Sequence, residues 1–192
     1  LVVRINSPGG TATASDILTL ASELDQDRLL WVAPQASGRT WYPFSFLSPI
    51  QTNEPGLSSG LSVLDGIVRE AEHRGIPSER VVLMGFSQGA CLALEYAVRH
   101  ARRLGGVVGF SGGLIGPAGT PRDHAGDFSG MPVFLGCSDR DPHIPAERVQ
   151  DTADIMSRMG ASVDVRLYQG MAHTIIEDEL TAAGEMLRRI IG

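Results

Sequence analysis

RVVLMGFSQGACLALEYAVRH, residues 80–100, runs from a continuous apolar stretch into a segment of helical period across Gly85-Phe86-Ser87-Gln88-Gly89. Val, Leu and Met without polar alternation are what a strand covered on both faces of a parallel sheet requires. Leu92, Ala93, Tyr96 and Ala97 then recur at the spacing of an amphipathic helix. Ser87 falls at the junction. Glycines on either side let strand and helix approach where side chains would clash, and the strained turn thrusts the hydroxyl outward. GFSGGL at 109–114 repeats the Gly-x-Ser-x-Gly spelling, but Gly112, Gly113, Gly116, Pro117 and Gly119 follow Ser111 and oppose a helix. Ser111 is therefore read as a turn residue, and Ser87 as a nucleophile on a strand-to-helix elbow.

The same alternation extends in both directions. LVVRI at the start, LLWVAP at 29–34, GGVVGF at 105–110, PVFLGC at 132–137 and VDVRLY at 163–168 read as strands. Between them lie helical stripes: Leu57, Leu61, Leu64, Ile67, Val68 and Ala71; Val149, Ala153, Met156 and Met159; Ile176, Leu180, Ala183, Leu187 and Ile190. Strand and helix alternate throughout, which predicts an α/β open sheet with right-handed crossovers. Residues 33–55 form one long irregular stretch, and 117–130 a shorter one; long loops in compact folds are commonly functional.

Composition bounds the function. A chain of 192 residues with 43% hydrophobic content is read as a single domain, residues 1–192, able to bury one core. A net charge of -6, with no Lys/Arg cluster, argues against a nucleic-acid or anionic-membrane surface. Cys91 and Cys137 lie in apolar contexts without metal or disulfide spacing, so they read as buried thiols of a reducing, cytoplasmic compartment. No signal sequence or membrane-spanning run is expected, and no ligand spacing implies a metal. The chain opens at Leu1, already inside a strand, and the reading is of a trimmed N-terminus.

A serine needs a base, and the base needs an acid to hold its tautomer. On a sheet of this kind the chain order is serine, acid, histidine. PVFLGCSDRDPHIP places Asp139 and Asp141 just past a strand, and YQGMAHTIIEDEL places His173 just past the last one. Reactive groups of open α/β sheets collect at the carboxyl ends of strands, the edge that Ser87 shares. His73 and His100 fall on polar helix faces. His124 precedes the acid and is out of order, while His143 follows it too closely to be the base but is placed to line a pocket.

GFSQGACLAL (85–94), GCSDRDPHIP (136–145) and GMAHTIIEDEL (170–180) resemble the nucleophile, acid and histidine segments of the phospholipase/carboxylesterase family of α/β hydrolases, which includes bacterial carboxylesterases and acyl-protein thioesterases. APQASGRTWYPFSF (33–46) and NEPGLSS (53–59) resemble its bacterial branch. The resemblance implies a minimal, lidless α/β-hydrolase fold with about six mainly parallel strands and helices on both faces. It also implies a triad of Ser87, Asp141 and His173, because the family's acid stands three residues before the Val or Ile of a Val/Ile-Pro pair, here Ile144-Pro145. Asp139 is then its polar neighbour.

The oxyanion donors are expected to be the amide of Gln88, at a helix N-terminus, and the amide of Gly10. The family carries His-Gly-x-Gly after its first strand, where this chain reads Pro8-Gly9-Gly10-Thr11, and Pro8 has no N–H to give. Trp41, Tyr42, Phe44 and Phe46 lie in the loop expected to border the site; Trp41 and Tyr42, with His143, are the candidate substrate-binding residues, and pinning the loop to the core is the alternative for the aromatics. The strand at LLWVAP is expected to be a bare sheet edge that invites self-association, a homodimer being the simplest form.

These residues point to a cofactor-free hydrolase of short- to medium-chain acyl or aryl esters. An acyl-protein or acyl-CoA thioesterase is the rival within catalysis. A non-catalytic ligand-binding module, its oxyanion loop altered at Pro8, is the rival outside it.

Overall fold

Strands β1 (Val2–Ile5), β2 (Trp31–Val32), β3 (Val82–Phe86), β4 (Gly106–Phe110), β5 (Pro132–Ser138) and β6 (Ser162–Tyr168) form a 6-stranded parallel sheet in the order β2-β1-β3-β4-β5-β6. The helices are α1 (Gly56–His73), α2 (Gln88–Arg99), α3 (Ala146–Arg158) and α4 (Glu177–Ile191). The structure is a computed structural model and describes residues 1–5 and 29–192.

Alternation within each strand divides the core between the two faces of the sheet. Val3, Ile5, Leu83, Val107, Val133 and Leu135 face one cluster with Leu57 and Leu64 of α1, Leu92 of α2 and Met156 of α3. Val2, Val82, Met84, Val108, Phe110 and Phe134 face another, closed by Ala182, Ala183, Met186 and Leu187 of α4. The apolar runs are continuous because both faces are covered, and the open α/β sheet is the expected one.

Two strands depart from expectation at the sheet's edges. Of LLWVAP only Trp31 and Val32 pair, opposite Val2 and Val3, although β1 runs on through Arg4 and Ile5 against β3; Pro34 has no N–H to donate to a longer ladder. In β6 no residue is fully buried, and Leu167 is exposed, because β5 alone flanks it among the described residues.

Register then sets the site. Phe86 stands opposite Phe110, Phe110 opposite Gly136, and Ser138 opposite Tyr168, so the residues following β3, β4, β5 and β6 share the carboxyl edge of the sheet.

Candidate active site

The chain turns from β3 into α2 at Ser87, which adopts φ 53° and ψ -120°. Its N–H donates to the Phe110 carbonyl at 2.9 Å and its carbonyl accepts the Cys91 N–H at 3.0 Å, tying the elbow to β4 and to the first turn of α2. A β-carbon on Gly85 would overlap the Gly89 carbonyl group, so this crossing requires glycine. The second Gly-x-Ser-x-Gly does different work. No helix follows Ser111, which is 0% exposed, and a β-carbon on Gly112 would overlap Ala90 of α2. Its small residues let the chain after β4 lie against the elbow helix.

His173 Nε2 lies 3.0 Å from Ser87 Oγ, and His173 Nδ1 lies 2.7 Å from Asp141 Oδ2. The other oxygen of Asp141 accepts the N–H groups of His143 at 2.8 Å and Ile144 at 3.0 Å. Burial pushes the Asp141 carboxyl up, but the bonds from His173 and these two amides outweigh it and hold the group below its ordinary value. An ionised carboxylate only accepts, so Nδ1 carries the imidazole proton and Nε2 presents a lone pair to the serine hydroxyl. Phe86 packs against the imidazole at 4.7 Å between ring centroids, and the exposed His143 meets it edge-on at 4.8 Å.

Asp139 has a separate task. Its Oδ1 accepts the Gly170 N–H at 2.8 Å, bracing the turn that leads from β6 toward His173. The thiols of Cys91 and Cys137 are free and buried, each pushed up to about 12 by burial. Cys137 lies 3.8 Å from Asp141 Oδ2.

Gln88 opens α2, which puts its amide at the helix N-terminus, while its side chain holds the long loop. Gln88 Oε1 accepts the Trp41 N–H at 2.9 Å, and Nε2 donates to the Tyr42 carbonyl at 2.9 Å. Trp41 and Tyr42 are 5% and 2% exposed, their rings in the core beneath the loop, whereas Phe44 is 60% exposed. Gly10 and the Pro8-Gly9-Gly10-Thr11 segment lie outside the described residues. Sequence reasoning did not single out the Gln88 side chain, because its partners lie 46 and 47 residues away. It also missed Glu179, which is buried at the position on α4 one turn before Ala182 and Ala183; that shared stripe was the available signal.

An open parallel sheet with a serine elbow at the end of a central strand places this chain among the α/β hydrolases. A family model for phospholipase/carboxylesterase matches residues 29–191, and the chain belongs to that family. It is similar to the crystal structure of a phospholipase/carboxylesterase from Dyadobacter fermentans, with 43% identity and a TM-score of 0.92 over 97% of this chain and 88% of that one. Acyl-protein thioesterase 1 of Saccharomyces cerevisiae is 28% identical over 146 residues, 72% of this chain and 62% of that protein. Acyl-protein thioesterase 1 of Kluyveromyces lactis is 30% identical over 139 residues, 71% of this chain and 61% of that protein. The chain thus spans about three-fifths of the length of these two curated relatives. Among the described residues no helix is long and apolar enough to cross a membrane.

Proposed function

We propose that this hydrolase cleaves carboxylic esters of short- to medium-chain acyl or aryl groups through an acyl-enzyme on Ser87. The observation that carries the reading is the hydrogen-bonded chain from Ser87 through His173 to Asp141, at 3.0 and 2.7 Å.

Ser87 Oγ attacks the ester carbonyl as His173 Nε2 takes its proton; Asp141 holds the imidazole's orientation and stabilises the charge it acquires. The Gln88 amide, at the positive end of α2, and the Gly10 amide receive the oxyanion. His173 then returns its proton to the departing alkoxide. Water attacks the acyl-enzyme with His173 again as base, releasing the acid and restoring the hydroxyl. Side chains, amides and water suffice for every step. His143 stands at the rim where the leaving group departs, and Trp41 and Tyr42 shape the substrate wall from beneath, through the loop that Gln88 holds.

Hydrolysis of p-nitrophenyl butyrate by the purified chain and by Ser87→Ala tests this reading. Activity lost in the variant is the expected result; equal rates from both would remove Ser87 from the chemistry. Similarity to the yeast acyl-protein thioesterases supports a second reading, in which the physiological substrate is a thioester. Rates for oxygen and sulfur esters of one acyl chain separate the two. Failure of a fluorophosphonate to label Ser87 in the folded chain would favour a binding module instead.

A further inference from the structure

His173 is delivered by the stretch 170–176 between β6 and α4, and carboxylates hold both ends of it. The Gly170 N–H donates to Asp139 Oδ1 at 2.8 Å, and the Ile176 N–H donates to Glu179 Oε2 at 2.9 Å. Glu179 is 0% exposed, and among the described residues its Oε1 has no hydrogen-bond partner. That carboxyl group lies against Gly136 of β5, where any β-carbon would collide with it. The next residue of β5 is Cys137, whose thiol lies beside the Asp141 carboxylate. A single buried side chain therefore touches the segment that carries His173 and the strand that leads to Asp141.

We propose that Glu179 is a positioning residue for His173: its carboxylate grips the Ile176 amide and thereby fixes the imidazole between Asp141 and Ser87. This rests on the reading of His173 as the general base. Burial raises the Glu179 carboxyl to about 7, opposed by the Ile176 bond and reinforced by Asp178. The titratable and charged groups around it are Asp178 on its own helix, Cys137 on β5 and Tyr168 on β6, with Arg166 of β6 paired to Asp178 at 2.8 Å and the Asp141–His173 pair beyond. Ionised, Glu179 makes a charge-assisted bond to the amide and adds negative potential behind an imidazole that becomes positive in the transition state. Protonated, it does neither. Activity therefore rises with a second deprotonation besides that of the base.

The test is the dependence of kcat/KM on pH, from roughly 5 to 9, for wild type, Glu179→Gln and His173→Ala acting on p-nitrophenyl butyrate. Glutamine preserves the volume and the acceptor for Ile176 but cannot ionise. The wild-type acid limb is expected to approach a two-proton dependence and that of Glu179→Gln a one-proton dependence, with kcat about tenfold lower at the alkaline plateau and KM within about twofold. Superimposable profiles from a folded Glu179→Gln would overturn the proposal. If His173→Ala stayed active, the base assignment itself would fail; if it were inactive while the other two profiles coincided, only the role of Glu179 would. Should Glu179→Gln not fold, the wild-type profile decides the matter: an acid limb that approaches a two-proton dependence, with one midpoint near 7, is expected, and a strictly one-proton limb overturns the proposal.

Discussion

Asp141 and Asp139 are two residues apart, both follow β5, and both end in a carboxylate that accepts an amide, yet they face different partners. One meets the imidazole of His173; the other braces Gly170. Replacing Asp141 with Asn keeps the shape but weakens the hold on Nδ1–H, and under the proposed mechanism kcat falls by about 10³–10⁴ while the folded structure persists. Asp139→Asn, which keeps an acceptor for Gly170, is expected to cost far less, so kcat values of the two variants measured side by side separate the roles. Sequence alone left both aspartates open until the Ile144-Pro145 pattern was considered, because side-chain direction past a strand end is set by tertiary contacts. Strand-end placement of Ser87 and His173 was legible, since each follows an apolar run. The Gln88 clamp and the burial of Glu179 were not, since both depend on what the chain packs against.

At the scale of elements, the β3–α2 crossing and the α4 N-terminus each set a condition. Gly85→Ala would force a β-carbon into the Gly89 backbone, and backbone cannot yield as a flexible side chain does. The expected loss is at least about 3 kcal/mol, read as a lower urea midpoint, or no folded protein. For α4 the condition is proton-linked. The Glu179 carboxyl is raised in the folded state from 4.5 to about 7, so the folded state binds the extra proton. Stability is then fully present below 4.5 and declines as pH rises through about 7. Between those limits wild type should lose up to about 3 kcal/mol relative to Glu179→Gln, which has no such ionisation. Urea midpoints of both proteins across that range give the sign directly. Helices and central strands were legible because burial on two faces leaves unbroken apolar runs, whereas the short β2 and the incompletely buried β6 reflect their position at the sheet's edges.

For the whole molecule, the order β2-β1-β3-β4-β5-β6 leaves β2 without an outer strand among the described residues, with Leu30 exposed beside it. We propose that the chain self-associates through this edge. Light scattering is expected to give a dimer mass that Val32→Lys returns to the monomer, because a lysine on an edge strand opposes pairing. A monomer mass for wild type would refute this.

The same strand order has a kinetic consequence. Ser87 and His173 are 86 residues apart, His173 and Asp141 are 32 apart, and they follow β3, β6 and β5 in a sheet whose strands, among the described residues, all pair in parallel. Parallel pairing must close long loops before it is rewarded, which slows folding. The bond between Ser87 and His173 cannot form until β6 has docked on β5 and β5 on β4. In refolding from urea, esterase activity is therefore expected to return in the last observable phase, after tryptophan fluorescence from Trp31 and Trp41, on the far side of the sheet and in the loop held by α2, has begun to recover.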